Sequence, residues 1–172
     1  VNIAEGMVDS EGQAVDGDIP AVFSVESKSE TEELELSIPI DAKSPSIQPA
    51  NISVEPGTGT HNGNAKPYIL GDQLTVTVST EGESIFDEDV VGVTVFINSD
   101  AAALSENVIA SDEGGDCDKM ANDNQWTACY VPGTLEAEDV TLSVTVLDDA
   151  GNHSSSADDS TLSIDTIPPE QP

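Results

Sequence analysis

The stretch VTLSVTVLD (Val140–Asp148) carries the reading of the fold. Its apolar residues recur at every second position, so an extended chain puts Leu142, Val144 and Val146 on one face and the hydroxyl side chains on the other. QLTVTVS (Gln73–Ser79) repeats the pattern with Leu74, Val76 and Val78. VVGVTVFIN (Val90–Asn98) and QWTACYVP (Gln125–Pro132) are rich in β-branched and aromatic residues. AVFSVES, LELSIPI and STLSID read the same way. Roughly ten short strands bounded by Gly, Pro, Asn and Asp, with little helical periodicity, predict an all-β, antiparallel β-sandwich. DAAALSENVI (Asp100–Ile109) is read as a loop excursion between strands, the other option being a turn or two of helix with Asp100 as N-cap.

The 172 residues carry 34 acidic side chains against four lysines (Lys28, Lys43, Lys66, Lys119) and no arginine, a formal net charge of -30. Such a chain cannot neutralise phosphates, and anionic lipid heads repel it, so nucleic acid and membrane surfaces are excluded as partners. It also repels itself, and a divalent cation bound between carboxylates is the economical remedy. Residues of apolar type make up 37% of the chain and gather in short runs, which argues against disorder of the whole. No run approaches the length of a membrane-spanning helix. Without an initiator Met or a basic-then-apolar leader, the sequence reads as an excised fragment or a mature chain.

Cys117 and Cys129 stand 12 positions apart. Bridged, they would close a loop worth on the order of 3 kcal/mol and mark an oxidising compartment; two free buried thiols are the alternative. GGDCDKMANDNQWTAC reads as a long hairpin connection pinned by that bridge, a solvated loop with Trp126 packed beneath it. Stacking of Trp126 on a sugar ring is the functional alternative.

A faint internal repeat pairs VDSEGQAV (Val8–Val15) with LDDAGNHS (Leu147–Ser154), and LSIPIDAKSP (Leu36–Pro45) with LSIDTIPP (Leu162–Pro169). Residues 1–46 are therefore read as the closing strands of a preceding β-module, or as a strand-donating segment, and residues 47–172 as a complete domain. A 46-residue piece with few large apolar side chains cannot bury a core of its own.

PYILGDQLTVTVSTEGESI (Pro67–Ile85), VTVLDDAGNHSS and LSIDTIPPEQP, in that order, resemble the bacterial immunoglobulin-like repeats of large surface adhesins. In those repeats a Tyr-x-x-Gly-Asp turn leads into a strand, Asp-x-x-Gly-Asn follows the penultimate strand, and Asp-Thr-x-x-Pro links to the next copy. IAEGMVDSEGQAVDGDIPAVFSV is also similar to invasin-type β-modules. The match covers both ends of residues 47–172, while the middle (about 86–125) departs in length and carries the cysteines. The resemblance implies an immunoglobulin-like sandwich in a secreted surface protein of a Gram-negative bacterium. It implies a monomeric extender, stiffened by calcium and partnered by neighbouring repeats of the same chain.

Calcium takes about six to eight oxygen ligands from carboxylates, amides and carbonyls. Asp148, Asp149 and Asn152 in the penultimate turn, Asp165 before the linker and Asp72 in the Gly-Asp turn are the candidates. A second acidic loop holds Asp87, Glu88 and Asp89, and Asp41 is the counterpart of Asp165 in the first copy. Each is also a residue favoured in turns on its own account. Asp116, Asp118, Asn122 and Asp123 lack the spacing of a helix-flanked calcium loop, and the cysteines lack the His pair of a zinc site. His61 and His153 adjoin no nucleophile elbow, so no enzyme is expected. The sequons at Asn51 and Asn152 are taken as coincidence. Two other functions stay open: a glycan- or protein-binding adhesion module using the 100–126 region, and an accessory domain of a secreted polysaccharide-degrading enzyme.

Overall fold

The structure, a computed structural model, describes residues 16–26, 31–59, 67–80, 90–115 and 117–168, with the backbone alone for 16–40 and 159. The chain divides into two compact units, Val1–Ser44 and Pro45–Pro172.

In the first unit, β1 (Asp16–Glu26) and β2 (Thr31–Asp41) pair antiparallel from Asp16↔Asp41 to Glu26↔Thr31. The register pairs Ile19 with Ile38, Ala21 with Leu36 and Phe23 with Leu34.

The second unit has two sheets. The larger runs β4 (Tyr68–Ile69), β10 (His153–Asp165), β9 (Glu136–Asp148), β6 (Val90–Ser99) and β7 (Leu104–Ile109) in spatial order. The smaller runs β3 (Ile52–Val54), β5 (Leu74–Ser79) and β8 (Gln125–Tyr130). All pairs are antiparallel except β4 with β10. The alternating runs bury the faces their periodicity predicts. Leu74, Val76 and Val78 meet Val93, Val95, Ile97, Leu142, Val144, Val146 and Ile164 in one apolar cluster. Each such side chain contributes about 1.5–3 kcal/mol by leaving water. No helix among the described residues is long and apolar enough to cross a membrane.

Three expectations change. Residues 104–109 are neither helix nor loop excursion: β7 pairs with β6 from Thr94↔Ile109 to Ser99↔Leu104, and Leu104 and Val108 pack on the core. Asp100 heads a tight turn whose Ala103 N–H donates to its carbonyl, and the buried Ser99 hydroxyl accepts from Ala102 N while donating to Asp139. Edge pairing outweighs the weak helical signal of the alanines. The cysteine-bearing stretch is not a hairpin connection, because β7 and β8 lie in different sheets and residues 110–124 cross between them. Finally, the Ser-rich stretch extends β10 well before STLSID, since residues 153–158 pair one by one with β9 from His153↔Leu147 to Asp158↔Leu142.

Hydrogen bonds between the sheets fix which strand ends lie together. Ser111 and Thr127 exchange both backbone bonds, and Ala110 N donates to Val93 O, so the Thr127–Thr77 level of the small sheet adjoins the Val93–Val146 level of the large one. Tyr68, paired with Ile164, donates its hydroxyl to Glu55 O, and Glu55 N donates to Thr75 O. The unit therefore has two poles. One holds the β9–β10 turn, the start of β6 and the ends of β3 and β5 at Ile52 and Val78; the other holds Asp165, Glu136, Tyr68 and Leu74.

Candidate functional site

At the first pole Asp148, 1% exposed, closes the β9–β10 turn. Its carboxylate accepts from Asn152 N at 2.7 Å and Asn152 Nδ2 at 3.0 Å, and its own N–H donates to Asn152 O at 3.0 Å. Gly151 sits at φ +93, the left-handed position that a three-residue hairpin loop needs. Asn152 is buried, so its sequon is not presented to solvent, whereas Asp149 is exposed. Val90 pairs with Asp148; Asp87 and Asp89 lie outside the described residues.

At the second pole Asp72 does the corresponding work in a wetter place. Its carboxylate accepts from Thr58 Oγ1 at 2.6 Å, Thr58 N at 2.8 Å and Ile69 N at 3.0 Å. These bonds, the Thr58 hydroxyl first, hold its pKa below the usual aspartate value. The loop that brings Thr58 here runs against residue 67 so closely that a Cβ on Gly57 or Gly59 would lie 2.3 or 2.7 Å from Pro67 O. Tyr68 is buried beside it, and desolvation, followed by the charges of Glu55 and Asp72, pushes its hydroxyl pKa up to about 12.

The chain leaves the unit at this second pole. Asp165 is exposed and pairs with Glu136 and Ile69. The next residue, Thr166, is 2% exposed and fastens the exit: its N–H donates to Leu135 O at 2.9 Å, and its Oγ1 accepts from Leu135 N at 2.7 Å and donates to Gly133 O. Asp165, the ligand candidate before the linker, stands exposed beside this buried anchor.

Asp148, Asp149 and Asn152 are thus separated from Asp165 and Asp72 by the length of β9, about 40 Å at the usual rise per residue. A single cation cannot collect both groups. Asp41 belongs to the other unit, and its Oδ1 accepts from Lys43 N at 3.0 Å. Among the described residues no group of three or more His, Cys, Asp or Glu is placed to hold a metal ion.

Cys117 and Cys129 are bridged, with Cα atoms 6.0 Å apart. Cys129 lies opposite Thr75 on the outward face of β8, so the bridge clips the 110–124 loop onto the outside of the small sheet. The loop is not a solvated one throughout. Asp118 is 3% exposed, and its carboxylate accepts from Gly114 N at 2.8 Å and Met120 N at 3.3 Å. Asp112 accepts from Asp123 N, and Asp123 from Gln125 N, both at 3.0 Å. Acidic side chains here replace the ladder bonds that an irregular backbone cannot make. Between loop and sheet lies a cavity of about 340 Å³ floored by Thr75, Thr77 and Thr127. A wider groove of about 620 Å³ opens where the start of β6, the end of β7 and the start of β8 diverge, and Trp126 lines it. No family model, curated protein or solved structure matches this chain.

Proposed function

We propose that the second unit is an immunoglobulin-like β-sandwich serving as a spacer in a string of modules on a bacterial surface protein. The observation that carries this reading is the path of the chain. It comes in through the 3-10 turn Pro49–Asn51, next to Ile52 at one pole, and goes out through Asp165 and Thr166 at the other. A module crossed end to end adds its full length to a string. A module whose ends meet at one pole adds little.

The strand order supports the immunoglobulin-like reading. The three strands β3, β5 and β8 take the places of A, B and E, while β10, β9, β6 and β7 take those of G, F, C and C′, with β4 as a short second half of A. The bridged cysteines suit an oxidising, extracellular setting. The fastening of Thr166 to residues 133–135 suits a joint that must hold its direction.

Calcium enters the proposal through charge. A net -30 favours divalent counterions, and the carboxylates left exposed at the poles among the described residues include Asp149 at the first and Asp165 and Glu136 at the second. Each would need oxygens from a neighbouring module to complete its shell. Small-angle scattering from two tandem copies of residues 45–172 tests both halves. The expected particle is about twice as long as one copy in calcium and shorter in chelator. Equal lengths in the two buffers would remove calcium, and a compact particle in both would remove the spacer.

A further inference from the structure

The groove at Trp126 points to a ligand, and we infer that it binds an uncharged oligosaccharide. This goes beyond the spacer reading and does not depend on it. Trp126 is the only tryptophan of the chain; it packs against the core yet also lines the groove. Two aliphatic side chains form the rim, Ile109 at 82% exposure and Val91 at 53%. Large apolar groups so exposed are a cost in water unless something covers them.

The remaining lining is of a particular kind. Asp112, Glu113, Asn122 and Asn124 bring planar carboxylate and amide groups to the groove. Such groups accept from and donate to vicinal hydroxyls, while the indole and the aliphatic rim suit the C–H face of a pyranose ring. The volume falls within the range of small-molecule sites.

The groove is also preorganised. Asn122 and Asn124 have φ values of +56 and +59, conformations that asparagine tolerates better than other side-chain-bearing residues. Asn122 N donates to Asp112 O at 2.8 Å, Asn124 O accepts from Thr80 N at 2.8 Å, and the Cys117–Cys129 bridge holds the loop that carries them. An anionic sugar is disfavoured by the acidic lining and by the charge of the whole chain. A cationic peptide would be attracted by charge, but equally to the rest of so acidic a surface, and its binding would fall with salt.

The test uses the full 172-residue chain and the emission of Trp126, its only tryptophan. It is titrated with N-acetylchitotetraose, cellotetraose and mannotetraose, each to millimolar concentration, and with heptalysine, in low and high sodium chloride. The expected result is a saturable shift with at least one tetrasaccharide, unchanged by salt. Ile109→Glu, at a site too exposed to affect folding, should weaken it by about tenfold or more. Cys117→Ser should weaken it as well, with the circular dichroism of the sheets retained. The inference is overturned if no tetrasaccharide moves the emission, if Ile109→Glu binds as the native chain does, or if heptalysine alone produces the shift and salt abolishes it.

Discussion

The two poles of the second unit solve one problem with the same residue in different surroundings. At each, an aspartate takes backbone N–H groups that a turn would otherwise leave unpaired: Asp148 those of the β9–β10 hairpin, Asp72 those of Thr58 and Ile69. Asp148 is buried and has Asn152 as its partner on both oxygens, whereas Asp72 is partly exposed and has the Thr58 hydroxyl as its strongest bond. The difference teaches that one residue type in a turn does unequal structural work in the two places. Its lone pairs are shared out first among the nearest donors, and burial sets how much their loss costs.

Replacing Asp148 by Ala is therefore the harshest test of the comparison. It removes the buried carboxylate that accepts from the Asn152 N–H and amide, at a cost of about 3 kcal/mol in urea denaturation. Asp72→Ala exposes its donors to water and should cost less than about 1 kcal/mol. Equal losses would show that burial does not distinguish the poles.

The next effect in size belongs to Tyr68, beside Asp72. Its pKa is raised on folding from 10.0 to about 12, so its contribution is complete below pH 10 and disappears as the pH rises through about 12. Alkaline unfolding followed by circular dichroism should begin within that window. In Tyr68→Phe, which also loses the bond to Glu55 O and about 1 kcal/mol, that component of the transition should be absent.

Asp72 gives the smallest effect, and the opposite sign. Its pKa is lowered on folding, so its contribution is present above the ordinary aspartate pKa and is lost as the pH falls through the lowered value. Asp72→Asn should flatten the acid limb of the stability curve slightly, because the variant gives up already at neutral pH the small contribution that the native chain loses only in acid. An acid limb identical to that of the native chain would mean that the Thr58 bonds do not persist in solution.

Much of the architecture was legible in the alternating runs, because a half-buried strand writes its period directly into the sequence. β5, β6, β8 and β9 fall where QLTVTVS, VVGVTVFIN, QWTACYVP and VTLSVTVLD put them. The strands that escaped are those whose stability comes from a neighbour. β7 holds Glu106 and Asn107 at its centre and is strand because β6 offers it a ladder; the Ser-rich half of β10 is strand because β9 does. Neither has a pattern of its own to read.

The poles show the same division. Sequence alone determined that carboxylates would gather in turns, since Asp and Asn bond their own backbone there, and that the runs between them would bury one face each. It placed Asp148 and Asp165 17 positions apart and offered both as ligand candidates. Tertiary structure decided that β9 and β10 run the full length of the sheet, so that the two aspartates stand at opposite ends. It also made Thr166 and not Asp165 the buried anchor. Separation along a chain becomes separation in space only once pairing fixes where the chain turns back, and pairing belongs to two strands at once.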